Sequence, residues 1–159
     1  MNTPHPAQPA PAALPALPDE AVVLGARARD WQGAVETAGR ALTASGATDA
    51  GYAVDMVRMI EDHGPYVVIA PGLALAHARP GPAVRRDGIA IVTLADPVPF
   101  GHPYNDPVRV VLALAGASSA RHLQLVAEIA NIFNDSDAVE RLAAAATADE
   151  VRGILGVGA

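Results

Sequence analysis

Apolar residues change their spacing several times along this chain, and each change predicts a change of element. AVVLGA (Ala21 to Ala26) is a short apolar run that predicts a strand. Behind Asp30, a suitable N-cap, Trp31, Ala34, Val35, Ala38 and Leu42 recur at helical spacing. They predict the buried stripe of a first helix, ended by Ser45-Gly46. A second helix is predicted from about Asp49 to His63, with Tyr52, Met56, Met59 and Ile60 on one face and Gly64-Pro65 as its stop. The period then shortens. YVVIA (Tyr66 to Ala70), LALAHA (Leu73 to Ala78), GIAIVTLA (Gly88 to Ala95) and VRVVLALAG (Val108 to Gly116) are β-branched or continuous apolar runs separated by Pro/Gly-rich turns. Helical spacing returns from Ser119 to Phe133, where Leu123, Val126, Ala127, Ala130 and Phe133 form the predicted apolar set. Further helices are expected over about Asp137 to Ala145 and from Thr147, where Glu150 completes a capping box.

The predicted order is β-α-α-β-β-β-α-α-α, with three or four strands in the middle block. This is an α/β arrangement of the α+β kind, a mixed central β-sheet flanked by helices, since both element types carry one-sided apolar surface. Strands and helices do not alternate. There is also no G-x-G-x-x-G after the first strand and no G-x-x-x-x-G-K-[ST] anywhere, so nucleotide binding has no support. No internal repeat is visible.

The 159 residues suit one domain. Residues 1–18 are Pro/Ala-rich and predict an extended, disordered tail, which discounts His5; residues 19–159 are the expected domain. Apolar residues make up 51% but aromatics only 4%, so the core must be Val, Ile, Leu and Ala. A net charge of -6 argues against a nucleic-acid or anionic-lipid footprint. The absence of cysteine excludes disulfides, thiolate metal sites and a cysteine nucleophile. No run reaches the roughly 18–20 apolar residues of a membrane span, and the N-terminus lacks the basic start of a signal peptide. A cytoplasmic protein is the expectation.

Histidine is therefore the residue type to examine. His77 ends the apolar segment LALA and precedes Ala78-Arg79-Pro80, so a strand delivers its imidazole to a loop mouth. Arg79 lies two residues on and shares its side if the chain is extended. A guanidinium beside a nucleophilic imidazole suits a phosphoryl group. The plainer reading makes His77 a strand-end residue and Arg79 a solvated charge. His122 follows GASSA, where Ser118 or Ser119 as N-cap puts it in the first turn of a helix. There the dipole and free backbone donors favour an anion, which Arg121 would help to hold. Packing beside Leu123 is the alternative. His63 reads as a helix-terminal residue and His102 as a loop residue near Asn105 and Asp106. A metal site from His77, His122 and Asp106 lacks ligand spacing.

Three segments in order, GPYVVIAPGLALAHARP (Gly64 to Pro80), FGHPYNDPV (Phe100 to Val108) and HLQLVAEIANIF (His122 to Phe133), resemble the EIIA components of the sugar phosphotransferase system. The resemblance is to the fructose–mannitol superfamily (EIIA type 2), with the GPY and HARP forms most similar to its ascorbate-type branch. It runs from about Ala21 to Leu155. It implies a phosphocarrier: His77 accepts a phosphoryl group from phospho-HPr and passes it to a cysteine of an EIIB partner, which serves a membrane EIIC. His122 would hydrogen-bond the active imidazole or the phosphate, and Arg79 would stabilise the phosphate. No cofactor or metal is implied, and a homodimer is compatible. The family usually has proline before the active histidine; Ala76 stands there instead, which predicts a looser backbone. Other branches carry an Arg-Glu pair where this chain has Met59 and Ile60. Arg58 is one residue off, about 100° around a helix, and is not given that role. A regulatory EIIA-like protein and a metal-dependent hydrolase are the rival readings.

Overall fold

A computed structural model describes residues 13–159. After a 3-10 turn at Asp19–Ala21, the elements are β1 (Val22–Ala26), α1 (Trp31–Ala44), α2 (Gly51–His63), β2 (Val68–Ala70), β3 (Leu73–His77), β4 (Gly88–Val98), β5 (Val108–Ala115), α3 (Ser119–Ile132), α4 (Ala138–Ala143) and α5 (Ala148–Leu155). The middle block has four strands.

The five strands form one mixed sheet in the order β1-β4-β5-β3-β2. β3 runs parallel to β5 and β1 parallel to β4, while β4–β5 and β2–β3 are antiparallel. β5, at the centre, is buried at every position except Arg109. Successive side chains of a strand point to opposite faces, so both faces of the sheet are covered. That explains why VRVVLALA reads as a continuous apolar run rather than an alternation.

Local signals act as expected at most helix ends. Asp30 Oδ1 accepts from the Gly33 N–H at 2.8 Å and caps α1. Gly64 ends α2 with φ +85, a left-handed conformation that favours glycine, while its N–H bonds the Ile60 carbonyl at 2.8 Å. Thr147 caps α5 by accepting from Glu150 N–H, and Glu150 reaches back to Ala146 N–H.

Two expectations need revision. Residues 1–12 of the expected tail lie outside the described residues. Of the remainder, Leu17 is fully buried in the core and its N–H bonds the Gly158 carbonyl at 2.8 Å, so packing reaches into the Pro/Ala-rich segment. In α3 the buried residues are Leu125 and Ile129, with Val126 and Phe133 only partly covered. Leu123 is 69% exposed, and Ala127 and Ala130 face outward as well. The helix is turned because its first turn is pinned. The Ser118 side chain accepts from Arg121 N–H at 3.1 Å, and Arg121 Nε lies 2.7 Å from Asp87 Oδ2. With His122 held inward, residues three and seven positions on share its side.

Candidate functional site

His77 is the last residue of β3, in parallel register with Leu114 of β5. Its Nδ1 lies 3.0 Å from the Leu75 carbonyl. A carbonyl can only accept, so Nδ1 carries the proton and Nε2 keeps its lone pair. Burial lowers the His77 pKa, partly offset by the Leu75 carbonyl. Since an ordinary histidine titrates near 6.5, the His77 imidazole is neutral at pH 7.

His122, in the first turn of α3, brings its ring centroid to 5.1 Å from that of His77. No hydrogen bond joins the two rings. His122 Nδ1 is buried without a hydrogen-bond partner, which leaves acceptor or donor capacity unspent beside His77. Burial lowers the His122 pKa, and the neighbouring His77 lowers it further. Gly116 permits the approach: a Cβ there would sit 2.9 Å from His122 Cα and 3.0 Å from its Cβ. Only hydrogen fits at that position.

Both rings open on a cleft of about 440 Å³ also lined by Met59, Arg79, Ser119 and Leu123. Arg79 is exposed and forms no ion pair among the described residues. It also borders an adjoining cleft with Arg58, so the structure brings that set-aside cation close to Arg79 after all. Arg121, by contrast, is committed to Asp87 and Gln124 and ties α3 to the loop before β4. The same loop contact draws Ala117 N–H onto Asp87 Oδ1 at 2.7 Å. Burial raises the Asp87 pKa, but Ala117 and Arg121 outweigh it and hold the carboxyl below its usual value.

Backbone rigidity at His77 comes from a residue with no predicted part in the site. Tyr52 of α2 is buried, and its hydroxyl accepts from Ala78 N–H at 3.0 Å and donates to the Leu114 carbonyl at 2.5 Å. It thus fastens the residue after His77 to Leu114, the β5 partner of His77. Burial pushes its phenol pKa up to about 12, so it stays neutral. Ala76, in register with Ala113, is fully buried within the ladder. The backbone that the missing proline was expected to loosen is therefore held by strand pairing and by Tyr52. Tyr66, just before β2, was read only as the start of a strand and as part of the GPY motif, yet its ring centroid is 6.1 Å from that of His77.

The metal reading fails on geometry. The Asp106 carboxylate accepts the N–H groups of Phe100, Gly101 and His102, and His102 Nδ1 accepts those of Tyr104 and Asn105. This loop is tied through Asn105 to Gly72, at the start of β3. His77 is at the other end of that strand, about 15 Å away at the usual rise per residue. Among the described residues no three His, Asp or Glu side chains converge as a ligand set.

The family model "Phosphoenolpyruvate-dependent sugar phosphotransferase system, EIIA 2" matches residues 16–156. The chain belongs to this EIIA family. Among its relatives, the "Ascorbate-specific PTS system EIIA component" of Shigella boydii serotype 4 is 37% identical over 134 residues, covering 84% of this chain and 87% of that protein. The protein of the same description from Escherichia coli K12 is 36% identical with the same coverage. The EIIA fold is shared with the solved enzyme IIA of the mannitol system from Escherichia coli, in complex with phosphorylated enzyme IIB. That chain has TM-score 0.78 and 25% identity, with 88% of this chain and 96% of that one covered. Members of this EIIA family are phosphocarriers of the sugar phosphotransferase system. Among the described residues of this EIIA chain, no helix is long and apolar enough to cross a membrane.

The lowered histidine pKa values imply a pH effect of fixed sign. Below about pH 6.5 the unfolded chain binds protons that half-buried His77 and His122 resist, so stability rises with pH across that range. The melting temperature is expected to fall as pH drops from 7.5 to 5.5, before ordinary carboxylates protonate. The fall should shrink in the His77→Asn/His122→Asn double variant. A flat melting temperature in the wild type would contradict the burial argument.

Proposed function

We propose that this EIIA protein accepts a phosphoryl group on Nε2 of His77 from phospho-HPr and passes it to a cysteine of an EIIB partner, for uptake of an ascorbate-type carbohydrate. The observation that carries this reading is the Nδ1 contact to the Leu75 carbonyl. It leaves one nitrogen with a free lone pair at the mouth of the cleft.

In the uptake step the Nε2 lone pair attacks phosphorus in line, and the bond from phosphorus to the donor's histidine nitrogen breaks. That nitrogen keeps the electron pair. The proton on Nδ1 stays in place, so the ring becomes an imidazolium held by the Leu75 carbonyl. Onward transfer reverses this: the cysteine thiolate attacks and His77 leaves as neutral imidazole. Phosphoryl transfer asks for position and charge stabilisation rather than covalent machinery. Arg79 supplies the cation, the unpartnered His122 nitrogen supplies a hydrogen-bonding group, and the N-terminus of α3 supplies its dipole. The ascorbate-type assignment rests on the relatives, since an EIIA touches proteins rather than sugar.

The test is incubation with phosphoenolpyruvate, enzyme I and HPr, read by intact mass. One acid-labile phosphoryl group is expected, absent in His77→Ala. A second prediction tests the pairing of the histidines. Gly116→Ala must push the first turn of α3 away from β5, separating His122 from His77. Misplacement on the order of 1 Å costs up to about 100-fold in a positioned reaction. Uptake should slow by roughly 10- to 100-fold, matching His122→Ala, with the phosphorylated residue unchanged. A wild-type rate in Gly116→Ala would remove the role given to His122.

A further inference from the structure

Tyr66 carries no assignment in the phosphorelay, yet the geometry ties it to the nucleophile. It follows the Gly64-Pro65 stop of α2, and its ring stands at 80° to that of His77 with centroids 6.1 Å apart. The imidazole is therefore walled on two sides, by His122 at 5.1 Å and by Tyr66. Tyr66 is itself backed by His63, the last residue of α2, at 6.3 Å and 75°. The row His63–Tyr66–His77–His122 thus links the end of α2 to the start of α3. Tyr66 remains 44% exposed, so core filling does not explain where its ring lies. Arg79, the proposed phosphate neighbour, is within electrostatic reach of the Tyr66 hydroxyl and lowers its pKa, although burial raises it more.

We propose that Tyr66 is a positioning residue for phosphoryl transfer, its ring holding the His77 imidazole in the plane that keeps Nδ1 on the Leu75 carbonyl and Nε2 at the cleft. Without that wall the ring is free to turn about its terminal torsion, which is broad for histidine. Each rotation away from the Leu75 carbonyl also releases the tautomer, and the reactive lone pair moves off line. The ring itself, rather than the hydroxyl, does the holding. This inference rests on His77 being the phosphoryl acceptor for its kinetic arm alone.

The experiment compares wild type, Tyr66→Phe and Tyr66→Ala as full chains. Long-range nitrogen–proton correlation spectra of the His77 side chain at pH 7.5 report tautomer and ring motion before any phosphate is added. Single-turnover uptake from phospho-HPr reports the rate and its half-saturation. Wild type and Tyr66→Phe should both show one Nδ1–H tautomer. Tyr66→Ala should show an averaged pair of ring nitrogens, together with a maximal rate about 2- to 10-fold lower and an unchanged half-saturation. That factor is what an aromatic pair's contribution becomes when it is lost only in the oriented state. A wild-type nitrogen signature in Tyr66→Ala would overturn the proposal, and so would a Tyr66→Phe that behaves like Tyr66→Ala. Should wild type take up no phosphate at all, the relay reading fails, and the nitrogen spectra still decide the role of Tyr66.

Discussion

His77→Ala is expected to take up no phosphoryl group from phospho-HPr, with a rate at least about 1,000-fold below wild type. Loss of a nucleophile leaves only residual catalysis, on the order of the largest effects seen for single catalytic residues. His77 is the last residue of β3 and partly exposed, so its truncation leaves the ladder intact. Folding and activity are therefore separable: the circular dichroism spectrum should be unchanged. His122→Ala gives the informative contrast. It should still be phosphorylated, slowly, because the attacking lone pair and the Leu75 carbonyl remain. If His77→Ala were labelled at the wild-type rate, the acceptor would be elsewhere, and the tautomer argument would lose its function. If His122→Ala abolished labelling and His77→Ala did not, the two roles would be exchanged.

Tyr52→Phe should lower stability by about 2–4 kcal/mol, because two buried groups lose their partner at about 1–3 kcal/mol each. Ala78 N–H is left without its acceptor and the Leu114 carbonyl without its short bond. For a chain of this size that is a drop of roughly 5–15 °C in melting temperature. The same substitution removes a single oxygen and creates almost no cavity, so the loss cannot be put down to packing. A functional consequence follows from location. The hydroxyl fastens the residue after His77 to Leu114, so Tyr52→Phe should also slow phosphoryl uptake at temperatures where the variant is fully folded. A melting temperature within about 2 °C of wild type, on the same per-residue scaling, would mean that water or the sheet replaces the hydroxyl.

Both effects converge on one feature of this chain, the alanine before His77. Where the family resemblance led to the expectation of a proline, this protein keeps a regular strand through Ala76, and Tyr52 of α2 fastens the residue after His77. Predicting stiffness from position 76 alone looked only along the chain. The fastening arrives from 26 residues away.

Much of the protein was legible in the order of its residues. Helix caps, the Gly64 stop and the apolar runs depend on interactions within a few positions, so local chemistry predicts them. The buried strands read as continuous apolar runs because both their faces are covered. His77 was legible for a related reason: a strand ending in histidine, then arginine and proline, puts an imidazole at a rim. His122 was legible from a serine cap and a first helical turn. Even the mistaken apolar set of α3 had the right helix; only its rotation was wrong.

Rotation about a helix axis, ring tautomer and side-chain partners are decided by contacts distant in sequence. Arg121 looked like a phosphate ligand until Asp87, 34 residues away, claimed it. FGHPYNDPV read as a loop, and what its Asp106 and His102 do there, holding that loop together at the far end of β3, only the structure shows. Tyr52 was legible as a helix-face residue and Tyr66 as part of the GPY motif, but not what either would meet, since a tyrosine after a helix or inside one has many uses. The sequence by itself determined the elements, the family and the place of His77 at the end of a strand. Only the tertiary structure decided which nitrogen of His77 keeps a free lone pair, which rings stand beside it and what fastens the next residue, because those depend on three elements meeting at the end of one strand.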